Sequence, residues 1–97
     1  MYVVIFKAIA SEVDEQYAQV ASRLRDMTLS KYGCVEFVSL TEGDKEIALS
    51  YWCSLEHVAQ WKKNSEHVIA QEFGKSKWYS SYQVQVAKIV REYEKLE

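Results

Sequence analysis

Apolar positions along the chain alternate between two periods, and the changes of period mark the elements. Tyr2 to Ile9 is almost wholly apolar and β-prone up to Ser11, which predicts a first strand. Val13, Tyr17, Val20, Ala21, Leu24 and Met27 then recur at steps of three and four, the stripe of an amphipathic helix running to about Tyr32. Ser11, with Asp14 behind it, can cap its start, and Gly33 suits the left-handed position after its end. Cys34 to Thr41 and Glu46 to Cys53 read as two strands joined by the polar turn Glu42-Gly43-Asp44, a hairpin. Ser54 can cap a second helical region that ends at Gly74, and Asn64-Ser65-Glu66 predicts a break within it. Tyr82 to about Tyr93 is the last strand, where a change of phase after Val86 suggests a bulge, and the tail from Glu94 frays.

The predicted order is β-α-β-β-α-β, a ferredoxin-like α+β domain spanning 1–97, with both helices on one face of a four-stranded antiparallel sheet. Two helices cover one sheet face only, yet several strands are apolar on both. The first carries Tyr2, Val4, Phe6 and Ala8 on one side and Val3, Ile5 and Ile9 on the other. The third carries Ile47, Leu49 and Tyr51 opposite Ala48 and Trp52. Left wet, so much apolar surface invites aggregation. A second copy packed face to face, over roughly 2,000 Å² or more, predicts a homodimer.

Composition narrows the class. A chain of 97 residues is one small domain, and 48% hydrophobic with 27% charged residues makes it globular. The net charge of -2 comes with no basic patch, which excludes a nucleic-acid partner. No apolar run approaches the ~20 residues of a membrane span, and no cationic segment or cleavage site marks a signal peptide, so the expectation is a cytoplasmic protein with no membrane partner. Cys34 and Cys53 lie in apolar strand-like runs and read as buried reduced thiols. No zinc-ligand spacing, phosphate loop or dinucleotide motif occurs, so no metal and no cofactor is expected.

All three tryptophans and both histidines fall between Ser50 and Tyr82, which predicts one aromatic-lined site. His57, Trp61, Asn64, His67 and Gln71 share one stripe if the second helical region is continuous. Such a stripe can line a helix–sheet pocket that holds a flat aromatic molecule and offers it polar handles. Plainer readings stand beside this one. Trp61 serves equally as a core residue, His57 and His67 as surface histidines near helix starts, Asn64 as a cap, and Trp78 and Tyr79 as packing for the loop before the last strand. Tyr82, at the start of that strand, can point into the pocket.

The pattern Ser50-Tyr51-Trp52-x-Ser54-x-Glu56, Trp61, His67, Ala70-Gln71, Gly74, Trp78-Tyr79, Tyr82 resembles the antibiotic biosynthesis monooxygenase domain, and with the element order the resemblance covers nearly the whole chain. It implies a dimeric α/β barrel and an oxygenase acting on an aromatic or quinone-like small molecule, in some relatives without any cofactor. It assigns His67 as the base, Trp61 as an indole donor and stacking wall, and Asn64 and Tyr82 as groups orienting oxygen atoms. His57, Trp52, Gln71 and Trp78 fall to substrate binding. The chain departs from its relatives at several points. Polyketide-oxidising members have an asparagine where this chain has His57 and a tyrosine where it has His67. Haem-degrading members have a first-strand asparagine, against Phe6 or Lys7 here, and a histidine at the position of Gln71; without that ligand, haem degradation is disfavoured. The other class open to the sequence is a non-catalytic ligand-binding or stress-related dimer. A sealed pocket around His67 separates the enzyme from a site filled by packed side chains.

Overall fold

The computed structural model describes the backbone of residues 1–11, 15–72 and 78–97, and within these spans all side chains except those of residues 16 and 65–72. Strand β1 (Tyr2–Ala10) leads to helix α1 (Glu15–Lys31), strands β2 (Cys34–Glu42) and β3 (Lys45–Trp52), helix α2 (Leu55–Glu72) and strand β4 (Tyr79–Lys88). The strands form one four-stranded sheet in the order β2-β3-β1-β4, every pairing antiparallel. This is the expected ferredoxin-like architecture. Among the described residues no helix is long and apolar enough to cross a membrane.

Local chemistry sets the element ends. Gly33 terminates α1 with a φ of +79°, a left-handed turn that a side chain resists, and an added Cβ would stand 3.3 Å from Nδ1 of His57. Ser54 caps α2, its Oγ accepting from the Glu56 amide at 3.1 Å. The Asp14 half of the cap expected for α1 lies outside the described residues.

Two expectations need correction. Helix α2 runs unbroken through 64–66. The Asn64 side chain donates to the Gln60 carbonyl at 2.9 Å, one turn back in the same helix, so an exposed asparagine finds its partner without ending the helix. In β4, the register on β1 is unbroken from Lys88 to Ser81, and the shift falls between Ile9 and Ala10, opposite Ser80. The phase change at Val86 and Ala87 is therefore no bulge: Val86 pairs with Val4 on the helix side and Ala87 with Val3 on the outer side.

The register sorts side chains between the faces. On the helix side the β1/β3 pairs are Tyr2–Trp52, Val4–Ser50, Phe6–Ala48 and Ala8–Glu46. A core gathers at the first of these: Val4, Cys34, Trp52 and Val58 are buried, with Tyr2, Tyr32, Phe37 and Trp61 packed around them. Trp52 has no exposed surface, and its indole N–H donates to Ser50 Oγ at 2.8 Å, so the ring enters the core with its polar atom satisfied. Cys34 is buried as expected, whereas Cys53 is exposed, lying just past the end of β3.

Removing Trp52 from this core leaves a large void. Trp52→Ala is expected to lower stability by about 3–5 kcal/mol, read as a shift in the chemical denaturation midpoint.

Candidate functional site

Away from Trp52 the helices and sheet part, and a cavity of about 780 Å³ opens between them. Residue size along β3 accounts for it. From Trp52 the helix-facing row steps down to Ser50 and Ala48, too small to fill the gap, and ends on the carboxylate of Glu46. From α1, Tyr17, Ala21, Leu24 and Thr28 face the same space, and from α2, Trp61 and Lys62. Arg25 stands at the wall, its guanidinium 5.8 Å from the centre of the Phe37 ring.

Two irregularities in the sheet aim aromatics inward. Strict alternation would put Tyr79 on the outer face with Ser81. The extra residue at Ser80 reverses the phase, so Tyr79 pairs with Ala10 and joins Tyr82 on the cavity side. A second shift, between Cys34 and Glu36, leaves Val35 exposed and lets both Cys34 and Phe37 face the helices. The result is a nearly continuous aromatic wall. Phe6 meets Tyr79 edge-on at 5.5 Å and stacks with Tyr82 at 6.0 Å, and Tyr17 meets Trp78 edge-on at 5.3 Å.

At the Glu46 end the cavity becomes polar. Tyr17 donates its hydroxyl proton to Glu46 Oε2, and the Tyr17 and Tyr79 oxygens are 3.0 Å apart. Burial, and then the hydrogen bond to Glu46, push the Tyr17 hydroxyl far above its ordinary value. Burial and the neighbouring Glu46 charge push Tyr79 up to about 12, with the Tyr17 contact pulling the other way. Both phenols are therefore held neutral.

Of the residues singled out from the sequence, Trp61, Trp78 and Tyr82 line this cavity. Trp61 Nε1 donates to Thr28 Oγ1 at 2.8 Å, and Thr28 in turn donates to the Leu24 carbonyl at 2.7 Å. The indole N–H assigned to an oxygen ligand is thus engaged between the two helices, and Trp61 serves the cavity as a wall. Trp52 lies in the core, His57 against Gly33, and Asn64 on the solvent side of α2. The side chains of His67 and Gln71 lie outside the described residues. The sequence reading assigned no site role to Tyr17 or Glu46, and it took Tyr79 as packing for the loop before the last strand. For Glu46 a signal existed: it stands in phase with Ala48, Ser50 and Trp52, on the face of β3 that helices cover. Among the described residues, no group of three His, Cys, Asp or Glu side chains is placed to hold a metal ion.

The ferredoxin-like sheet is also what the comparisons with solved structures find. SnoaB, a cofactor-independent oxygenase from Streptomyces nogalater, superposes with a TM-score of 0.78 over 97% of each chain at 8% identity. A candidate antibiotic biosynthesis monooxygenase from Nitrosomonas europaea superposes with a TM-score of 0.76 at 12% identity, over 94% of this chain and all of the other. The fold is that of the antibiotic biosynthesis monooxygenases. No protein-family model matches the chain. In sequence it is 38% identical over 92 residues to YqjZ, an uncharacterized protein of Bacillus subtilis (strain 168), a match that spans 94% of this chain and 81% of YqjZ. The chain belongs to the same family as YqjZ.

The raised phenols give a pH dependence. An unfolded tyrosine titrates near 10 and folded Tyr79 near 12, so in between the folded chain holds a proton that the unfolded chain has released. The stability linked to that proton is complete below pH 10 and is lost as the pH climbs through 12. Unfolding followed in urea from pH 8 to pH 12 is expected to show the alkaline decline flattened in Tyr79→Phe and in Tyr17→Phe relative to the parent.

Proposed function

We propose that the protein is a small oxygenase that takes a flat aromatic or quinol-like molecule into the helix–sheet cavity and oxidises it without a bound cofactor. The observation that carries this reading is the cavity itself. Its volume of about 780 Å³ lies within the range of small-molecule sites, and Phe6, Trp61, Trp78, Tyr79 and Tyr82 give it aromatic walls. The likeness to SnoaB lends direction, because that protein is a cofactor-independent oxygenase on the same fold. Fold alone does not assign chemistry, so the site has to supply it.

Oxidation of a hydroquinone or phenol by O₂ needs the ring hydroxyl to lose its proton, so that an electron-rich anion can give an electron to oxygen. It also needs water kept out and the reduced oxygen species held by hydrogen bonds. In this reading Trp61, Trp78 and Tyr82 hold the ring. His67, whose side chain type titrates near ~6.5 when unperturbed, takes the proton.

We also propose that the active form is a homodimer closed into an α/β barrel through the outer sheet faces. Val3, Ile5, Leu49 and Tyr51 stand there in adjacent rows, and Leu40 and Ile47, paired at the hairpin end, are 69% and 43% exposed. Desolvating such a surface against its own copy supports the association.

Oxygen uptake above the uncatalysed rate, screened over reduced quinones and aromatic phenols, tests the chemistry. His67→Ala is expected to lower kcat by about 10²–10⁴-fold. Unchanged turnover would remove His67 from its role. Silence over the whole screen would leave a non-catalytic ligand-binding or stress-related protein. Light scattering at micromolar concentration is expected to give twice the chain mass of 11.3 kDa, and a stable monomer would contradict the dimer.

A further inference from the structure

The face of the sheet turned away from the helices carries four charged side chains among its apolar rows. Side chains alternate between faces along each strand, which puts Glu36 and Glu42 of β2, Lys45 of β3 and Lys7 of β1 on this one. The register sets Glu42 directly across from Lys45, so the hairpin matches one acid with one base inside the chain. The other two are left over. Lys7 has Ile47 across from it on one neighbouring strand and Gln83 on the other, with Ile5 and Ile9 before and after it on the same face. Glu36 stands on the edge strand across from Tyr51. Both charges are exposed. An apolar face with one unmatched cation and one unmatched anion is complementary to a second copy of itself.

We propose that Lys7 of each protomer pairs with Glu36 of the partner subunit, and that these two symmetric ion pairs fix how the outer faces meet. The proposal rests on the homodimer reading and specifies its register. Lys7 and Glu36 stand two strands and two rows apart, and Leu49 on β3 lies midway between them, with Ile5 and Val38 as its cross-strand partners. A two-fold axis that runs between the sheets over Leu49, at a right angle to the line from Lys7 to Glu36, exchanges the two positions. Each lysine then faces a glutamate. The same operation sets Leu49 against its own copy, with Ile5, Val38, Ile47 and Tyr51 around it. Stacked sheets lie about 10 Å apart, a gap that a lysine and a glutamate close by reaching from opposite sides. A slip by one row or one strand lays each lysine over apolar side chains, where an ammonium ion loses its water and gains no partner. Apolar rows give the association its strength, and the ion pairs give it one arrangement.

Fluorescence-detected sedimentation of the full chain at neutral pH, diluted from micromolar to nanomolar, decides it, with circular dichroism to show that each variant is folded. The parent is expected to dimerise. Lys7→Glu and Glu36→Lys each bring like charges together, and each is expected to raise the dissociation constant by about thirty- to a thousandfold. Lys7→Glu combined with Glu36→Lys restores opposite charges and is expected to return the constant to within about tenfold of the parent. Lys7→Glu combined with Glu42→Lys is not rescued. Lys7→Ala, Glu36→Ala and the two together read the same coupling without reversed charges: the double variant loses less than the product of the single losses. Reversals that dimerise like the parent, independent losses in the alanine series, or rescue through Glu42 in place of Glu36 would overturn the pairing and leave the homodimer standing. A parent that stays monomeric over the whole series would overturn both the pairing and the homodimer it rests on.

Discussion

The structure depends on how one row of side chains on β3 divides the space beneath the helices. Trp52 fills the gap at one end and hides its polar atom by donating to Ser50 on the same strand. From there the row shrinks to Ala48 and ends at Glu46, across from Phe6 and Ala8 on β1. A small domain needs a dense core to offset the entropy of ordering its chain, and here that density gathers at the Trp52 end. The rest of the same interface is left as a chamber. Thr28 joins the two regions, because it fixes the Trp61 ring between the helices at the boundary of core and cavity.

Much of this architecture was legible in the periodicities. The element order followed from them, and so did the faces of β1 and β3. The aromatic site was legible only as a cluster in sequence, and the part of it that carries polarity was not. Tyr79 looked like loop packing because its inward orientation depends on one unpaired residue at Ser80, and a bulge is set by the competing registers of two strands. Glu46 read only as the start of a strand because its partners Tyr17 and Tyr79 are 29 and 33 residues away along the chain. Asn64 misled in the other direction. Its side chain type favours helix ends, but that preference amounts to a fraction of a kcal/mol and yields where the surrounding turns are strong helix formers.

Fold and chemistry stand on different footings here. At 8% and 12% identity the resemblance to solved oxygenase-like structures is one of backbone, and such a backbone hosts many activities. Membership in the YqjZ family extends the sequence relationship to an uncharacterized protein. The weight therefore falls on the chamber, which joins aromatic walls to a polar end formed by Glu46, Tyr17 and Tyr79.

A crystal structure of the protein grown with 2-naphthol would test the account most directly. The ring is expected between Trp61, Trp78 and Tyr82. A chamber filled by the protein's own side chains, or a naphthol lodged solely on the outer sheet face, would contradict it.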